Sequence, residues 1–252
     1  MPTLKEKLAD GTSRIVMPIC TIPSPIVVQT LAAAGCASVI VDLEHGAIDY
    51  GTAQAMIAAT AGTDCAPLVR IAENTDAQVK RAMDLGAEGI MFPLIRDAEE
   101  AAWAVSSLRY PPHGHRSFGP FIAAQHFATT MPGYPAVIAE RAICCLLAET
   151  VEAIDNIEEI CAVPGVDLVV PAPFDLSTAL GDPGNFEAPA FVEAMATLEA
   201  AITKVGLPMG SIALNQAAAD ALFARGHRVI ASADVLWLRA AAAEAVSWCQ
   251  TP

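Results

Sequence analysis

The chain has 252 residues, of which 54% are hydrophobic and 17% charged, and its 14 basic and 28 acidic side chains leave a net charge of −14. So apolar a composition excludes intrinsic disorder, because ample surface can be buried, and no apolar run approaches the roughly 20 residues of a membrane span. The acidic excess opposes a phosphate backbone or an anionic bilayer as partner, and the absence of an apolar leader block after Lys5, Lys7 and Arg14 gives a cytoplasmic expectation.

Short β-rich runs alternate with Ala-rich helical runs along the whole chain. Ile15–Cys20 reads as a strand, followed by a helix over Pro25–Ala34. Ser38–Leu43 precedes a helix near Thr52–Ala61, and Pro67–Ile71 precedes one over Asp76–Leu85. Gly89–Ile95 leads to a helix over Ala98–Leu108, and an irregular segment runs from Tyr110 to about Gly133. Ile143–Ala148 is followed by a helix over Val151–Cys161, and Val166–Val170 by a short helix at Leu176–Leu180 and a longer one near Pro189–Val205. Leu207–Leu214 precedes the helix Gln216–Ala224, and Arg228–Ala231 leads into Val235–Trp248. Continuous apolar strands flanked by helices imply a parallel sheet covered on both faces. Eight strand–helix units predict a single-domain α/β (β/α)8 TIM barrel over residues 1–252. A doubly wound open sheet is the alternative, but the first strand is followed by CTIPSP and not by a glycine-rich turn. The seven cysteines are odd in number and form no CxxC, so they read as reduced packing residues.

In such a barrel the chemistry gathers at the C-terminal ends of the strands. Asp42, Arg70, Glu149 and Asp175 interrupt or end apolar strands there, and buried charges are costly unless paired, hydrogen-bonded or metal-bound. One reading is an ion-pair network with Arg70 bridging Asp42 and Glu149; the other is a functional site. Glu149 and Asp175, two carboxylates with room for water and a substrate oxygen, suit a hard divalent cation such as Mg²⁺ or Mn²⁺. His45, followed by Gly46 in a tight turn, is free to act as a base, with Asp42 available to hydrogen-bond its imidazole and fix the tautomer. The lysines are Lys5, Lys7, Lys80 and Lys204, none at a strand's C-terminal end, which argues against Schiff-base chemistry. The helix opened by Ala172–Asp175 offers free N–H groups to a carboxylate. Arg116, in RSFGP, is a candidate contact for a second part of a substrate, whereas His113 and His115 alone are weak metal ligands.

DLEHG at 42–46, PLVR at 67–70, YPPHGHRSFG at 110–119, LAET at 147–150 and APFDLSTALG at 172–181 resemble the metal-dependent (class II) pyruvate aldolases of the 4-hydroxy-2-oxoheptanedioate aldolase / citrate lyase family. The resemblance spans nearly the whole chain in order. It implies a (β/α)8 barrel in a homohexamer of dimers that exchange the C-terminal helix. It also implies divalent-metal-dependent, reversible cleavage of a 4-hydroxy-2-oxo acid to pyruvate, or a related 2-oxo acid, and an aldehyde. By position, Glu149 and Asp175 would hold the metal, with Mg²⁺ or Mn²⁺ first and Co²⁺, Zn²⁺ or Ni²⁺ as further choices. Arg70 would stabilise the enolate oxygen, His45 oriented by Asp42 would be the acid/base, and backbone near Ala172, Phe174 and Asp175 would receive the pyruvate carboxylate. Two departures bear on substrate binding. Leu147 stands where many relatives carry Gln, and Ala172 and Phe174 replace a glycine and a small residue. Two other readings stay open at this level: a lyase acting on a malyl- or citramalyl-CoA thioester, and a barrel retained for binding without catalysis.

Overall fold

In the computed structural model, which describes residues 2–249, strands and helices alternate from end to end. The order is α1 (Leu4–Ala9), β1 (Ile15–Val16), β2 (Ile19–Cys20), α2 (Pro25–Ala33), β3 (Ser38–Asp42), α3 (Tyr50–Ala58), β4 (Ala66–Arg70), α4 (Asp76–Asp84), β5 (Gly89–Phe92) and α5 (Ala98–Leu108). Then come α6 (Ala123–His126), α7 (Tyr134–Arg141), β6 (Ile143–Ala148), α8 (Val151–Cys161), β7 (Leu168–Pro171), α9 (Pro173–Ala179), α10 (Pro189–Lys204), β8 (Gly210–Ile212), α11 (Gln216–Ala224), β9 (Val229–Ala231) and α12 (Asp234–Ser247).

All recorded strand pairs are parallel. β2 to β7 follow one another in a curled sheet of six, and β1, β9 and β8 form a sheet of three. Lone bridges join Ile19 to Ala233 and Val169 to Met209, one at each side of the smaller sheet. The predicted first strand is split at Met17-Pro18. Pro18 has no N–H to donate, and the chain changes partner there, from β9 to β3.

Alternation along each strand sorts side chains between two apolar clusters. Val39, Val41, Val69, Ile90, Phe92, Cys144, Leu146 and Val169 pack outward under the helices. Ile40, Leu68, Met91, Cys145, Leu147, Leu168 and Val170 point to the inner face. The inner face is stopped at the strands' N-terminal ends by α1, whose Leu4 and Leu8 join that cluster. This helix escaped the periodicity argument because it spans only six residues, held by a capping box between Thr3 and Glu6. The segment from Tyr110 to Gly133 is irregular as expected apart from the short α6, and α7 beyond it packs Tyr134 and Ile138 into the core. Loops after the strands are closed by side-chain caps: Asp49, Thr75, Asp97 and Thr150 each accept a backbone N–H from the first turn of α3, α4, α5 and α8. These caps fix where each helix leaves the strand end that carries a charged residue.

Candidate active site

The inner-face alternation continues past the apolar layer. Asp42 follows Ile40, Arg70 follows Leu68, and Glu149 follows Leu147, each two residues on and each buried. Three charges thus sit on the floor formed by Ile40, Leu68, Leu147 and Val170, at the C-terminal ends of β3, β4 and β6.

Asp42 is 0% exposed. Its Oδ1 accepts Arg70 Nε at 2.9 Å and its Oδ2 accepts Arg70 Nη2 at 2.6 Å. Oδ1 also accepts the backbone N–H groups of Glu44 and His45, at 3.1 and 3.2 Å. The register pairs Asp42 with Arg70 directly across β3 and β4, so the fork needs no loop rearrangement. Arg70 Nε also lies 3.2 Å from Glu44 Oε2. Burial pulls the guanidinium pKa down, but pairing with Asp42 and Glu44 outweighs it and the net direction is up, which keeps the charge fixed. Nη1 has no partner among the described residues and is the donor left for a ligand.

Two sequence expectations are corrected here. Arg70 bridges Asp42 and Glu44, not Asp42 and Glu149, because the cross-strand pairing and the turn after Asp42 bring those carboxylates to it. Asp42 does not hold the His45 ring, since its oxygens are taken by Arg70 and by two backbone N–H groups of the same turn. The His45 side chain is 64% exposed, with Nε2 3.8 Å from Glu44 Oε2. Gly46 is required behind it: a Cβ there would collide with the Asp42 carbonyl oxygen. Glu44, which lies within DLEHG and was given no role, touches both Arg70 and His45. Burial pushes its carboxyl up, Arg70 and His45 pull it down, and Asp42 and Asp175 oppose them.

Glu149 ends β6 and is buried. Its Oε1 accepts the Leu94 N–H at 2.7 Å. Desolvation pushes its carboxyl up to about 7, the Leu94 bond pulls it back, Asp175 and Glu44 push it further up, and Arg70 acts weakly in the other direction. Asp175, in the first turn of α9, is exposed and has no side-chain bond among the described residues. Glu149 and Asp175 are therefore two carboxylates at the strand ends that repel one another. A hard divalent ion fits this donor set, with water or substrate oxygens completing its shell. Among the described residues no three His, Cys, Asp or Glu side chains gather as a ready-made metal cage, so an ion here would keep open positions.

The remaining candidates divide. Leu147 lies in the apolar layer one step below Glu149. Ala172 is buried, but its N–H goes to the Ala148 carbonyl at 3.3 Å and Pro173 has none. The anion-accepting donors expected at this helix start are thus reduced to the N–H groups of Phe174 and Asp175. The Phe174 ring, 46% exposed, packs edge-on against Phe186 at 5.1 Å. It lines an apolar cleft of about 560 Å³ between α10 and α11, whereas the sequence reading expected it to bear on substrate binding. Arg116 is corrected outright. Its side chain is 0% exposed and lies between the rings of Tyr110 and Tyr134. It is bonded to Asp84, the last residue of α4, at 2.7 Å. A helix of this length carries Asp84 roughly 12 Å from the loop that follows Arg70, so Arg116 braces helices and has no surface to offer a substrate.

The model of the family described as HpcH/HpaI aldolase/citrate lyase matches residues 20–235, from the first strand to the start of α12. The chain belongs to that family. It is 38% identical to a pyruvate aldolase of Rhizobium etli over 210 residues, 82% of this chain and 80% of that one. It is 37% identical to a 2-dehydro-3,6-dideoxy-6-sulfogluconate aldolase of Pseudomonas putida, over 73% and 72% of the two chains. Among solved structures, an HpcH/HpaI aldolase/citrate lyase family protein from Burkholderia cenocepacia superposes with a TM-score of 0.91 at 30% identity, covering 98% of this chain and 99% of that one. Membership makes the chain an enzyme of the lyase class, of the class II pyruvate aldolase type.

Proposed function

We propose that the protein catalyses reversible, divalent-metal-dependent aldol cleavage of a 4-hydroxy-2-oxo acid to pyruvate, or a related 2-oxo acid, and an aldehyde. The observation that carries this reading is the pairing of Arg70 with Asp42 and Glu44, which leaves Glu149 and Asp175 with no Lys, Arg or His side chain bonded to them among the described residues. In this reading those two carboxylates hold the ion, with Mg²⁺ or Mn²⁺ preferred and Co²⁺, Zn²⁺ or Ni²⁺ as substitutes. When bound, the ion supplies the Lewis acidity and positive charge that favour an enolate.

The chain's own groups do the rest. Asp42 fixes the guanidinium plane of Arg70, so the free Nη1 meets the 2-oxo oxygen as negative charge develops on it. The N–H groups of Phe174 and Asp175 receive the carboxylate. His45, exposed at the mouth, takes the proton from the 4-hydroxyl as the C3–C4 bond breaks and the aldehyde leaves. The enolate is then protonated at C3 to give pyruvate. The apolar floor of Ile40, Leu68, Leu147 and Val170 keeps water from beneath the reacting carbons. Asp42 is a positioning residue here, acting through Arg70.

The same reading extends to architecture. The two lone bridges support closure of the sheets into an eight-stranded (β/α)8 barrel forming one domain. On and just after α12, Leu238, Val246 and Trp248 are exposed, which supports C-terminal helix exchange in a homo-oligomer, read as a hexamer. No described helix is long and apolar enough to cross a membrane, and the free thiols accord with the cytoplasm.

The deciding experiment is a pyruvate-release assay over a panel of 4-hydroxy-2-oxo acids, with EDTA and with Mg²⁺ or Mn²⁺ restored. Release that EDTA abolishes and the ion restores is expected. Release insensitive to EDTA, or none from any member of the panel, overturns the proposal.

A further inference from the structure

Leu94 is one of two non-glycine residues with positive φ among the described residues, at 53°. Left-handed backbone is unfavourable for a residue with a Cβ and persists where the surroundings impose it. The Leu94 side chain gives no reason for it, since it is a large apolar group left 53% exposed beyond β5. The reason lies in the peptide unit between Pro93 and Leu94. Its N–H donates to Glu149 Oε1 at 2.7 Å. Its C=O accepts from Asn74 Nδ2, also at 2.7 Å. One rigid plane is thereby gripped at both ends: by Asn74, from the loop after β4 that follows Arg70, and by Glu149 at the end of β6. The Asn74 Oδ1 is buried with no partner, so the amide is held there by what its NH₂ does.

We propose that Asn74 is a positioning residue for the metal-binding carboxylate. Through the Pro93–Leu94 peptide it aims an N–H at Glu149 Oε1, fixing the carboxylate's rotation and leaving Oε2 as the oxygen presented to the ion. The proposal rests on the reading of Glu149 as a ligand, and it assigns a function to two residues, Asn74 and Leu94, that touch neither substrate nor ion. The strained backbone is the consequence of turning that N–H inward. The Leu94 side chain itself is dispensable, because only the backbone acts.

The test is the affinity of the metal-depleted protein for Mn²⁺, read by electron paramagnetic resonance of the free ion. Residues that orient a ligand typically contribute 10–100-fold to metal affinity. Asn74→Ala is expected to weaken Mn²⁺ binding by at least about 10-fold, while Leu94→Ala and Leu94→Gly, which keep the N–H, stay within about 3-fold of the wild type. Thr75→Ala, which removes the cap of α4 one residue away, serves as the structural control: its melting temperature falls and its Mn²⁺ affinity holds. If Asn74→Ala does not fold, Asn74→Asp keeps the size but puts an acceptor against the Pro93 carbonyl. Coulomb attraction from the added charge alone raises cation affinity, so a fall marks lost orientation. Unchanged affinity in a folded Asn74→Ala, or a rise in Asn74→Asp, overturns the proposal. Failure of the underlying reading looks different: Glu149→Gln would then bind Mn²⁺ as the wild type does.

Discussion

Replacing Arg70 by Ala separates stability from chemistry, because the two depend on different partners of one side chain. Asp42 is fully buried and loses bonds of 2.9 and 2.6 Å, keeping only the backbone N–H groups of Glu44 and His45. Removing one partner of a buried pair costs about 3–5 kcal/mol. For a chain of this size that is roughly 6–20 °C in melting temperature, at about 2–4 °C per kcal/mol. Turnover should fall on the order of 10²–10³-fold with the loss of the enolate donor. Pairing Arg70→Ala with Asp42→Asn distinguishes the effects. The double variant has no unpaired buried carboxylate, so it regains most of the melting temperature, yet it has no guanidinium and regains no turnover. Thermal denaturation and pyruvate release, measured on the wild type, both single variants and the double, close the cycle. An Arg70→Ala protein that melts and turns over like the wild type would refute the assignment, as would a double variant that recovers activity.

Three further outcomes follow from particular contacts. The Glu149 carboxyl is raised to about 7 from an ordinary 4.5; its contribution to the stability of the metal-depleted protein is thus complete below pH 4.5 and lost as pH rises through about 7. The melting temperature of wild type relative to Glu149→Gln should fall across that window, and a flat difference would contradict it. Phe174→Ala should lower thermal stability through loss of the Phe186 contact, about 0.5–1.5 kcal/mol, and leave the KM for pyruvate in the aldol direction within about 3-fold; a KM raised tenfold would return the ring to the substrate. Arg116→Ala should destabilise by about 1.5–3 kcal/mol through loss of the charge-assisted bond to the partly exposed Asp84, whereas a stable variant with a raised KM for the aldehyde would restore Arg116 to the site.

Asp42, Arg70 and Glu149 were legible because a charge two residues beyond an inward apolar position in a strand can only enter the mouth of the site. The alternating strands and the capped helices were legible for the same kind of local reason. Arg116 was not, since nothing in RSFGP says whether its loop folds toward the strand ends or against the far end of α4; that depends on Tyr110 and Tyr134, which sandwich it from separate elements. The His45–Asp42 contact failed because spacing along the chain shows who is near and not who is already bonded: Arg70, 28 residues away, claims both oxygens of Asp42. Asn74 and Leu94 left no sequence signal, because their work is done by an amide and a peptide plane.

The distribution of the single guanidinium decides between a structural cluster and a site. Asp42, Glu44 and Glu149 all act on Arg70, three acidic groups to its one guanidinium. The guanidinium could also have been shared with Glu149, which is buried too. Instead both oxygens of Asp42 and one of Glu44 take its Nε and Nη2. Glu149 is left with one peptide N–H and a carboxyl raised to about 7, a penalty of roughly 3 kcal/mol for the ionised form at 1.36 kcal/mol per unit. In the proposed reading a dication held by Glu149 and Asp175 would relieve that penalty, and protons would compete with it below neutral pH.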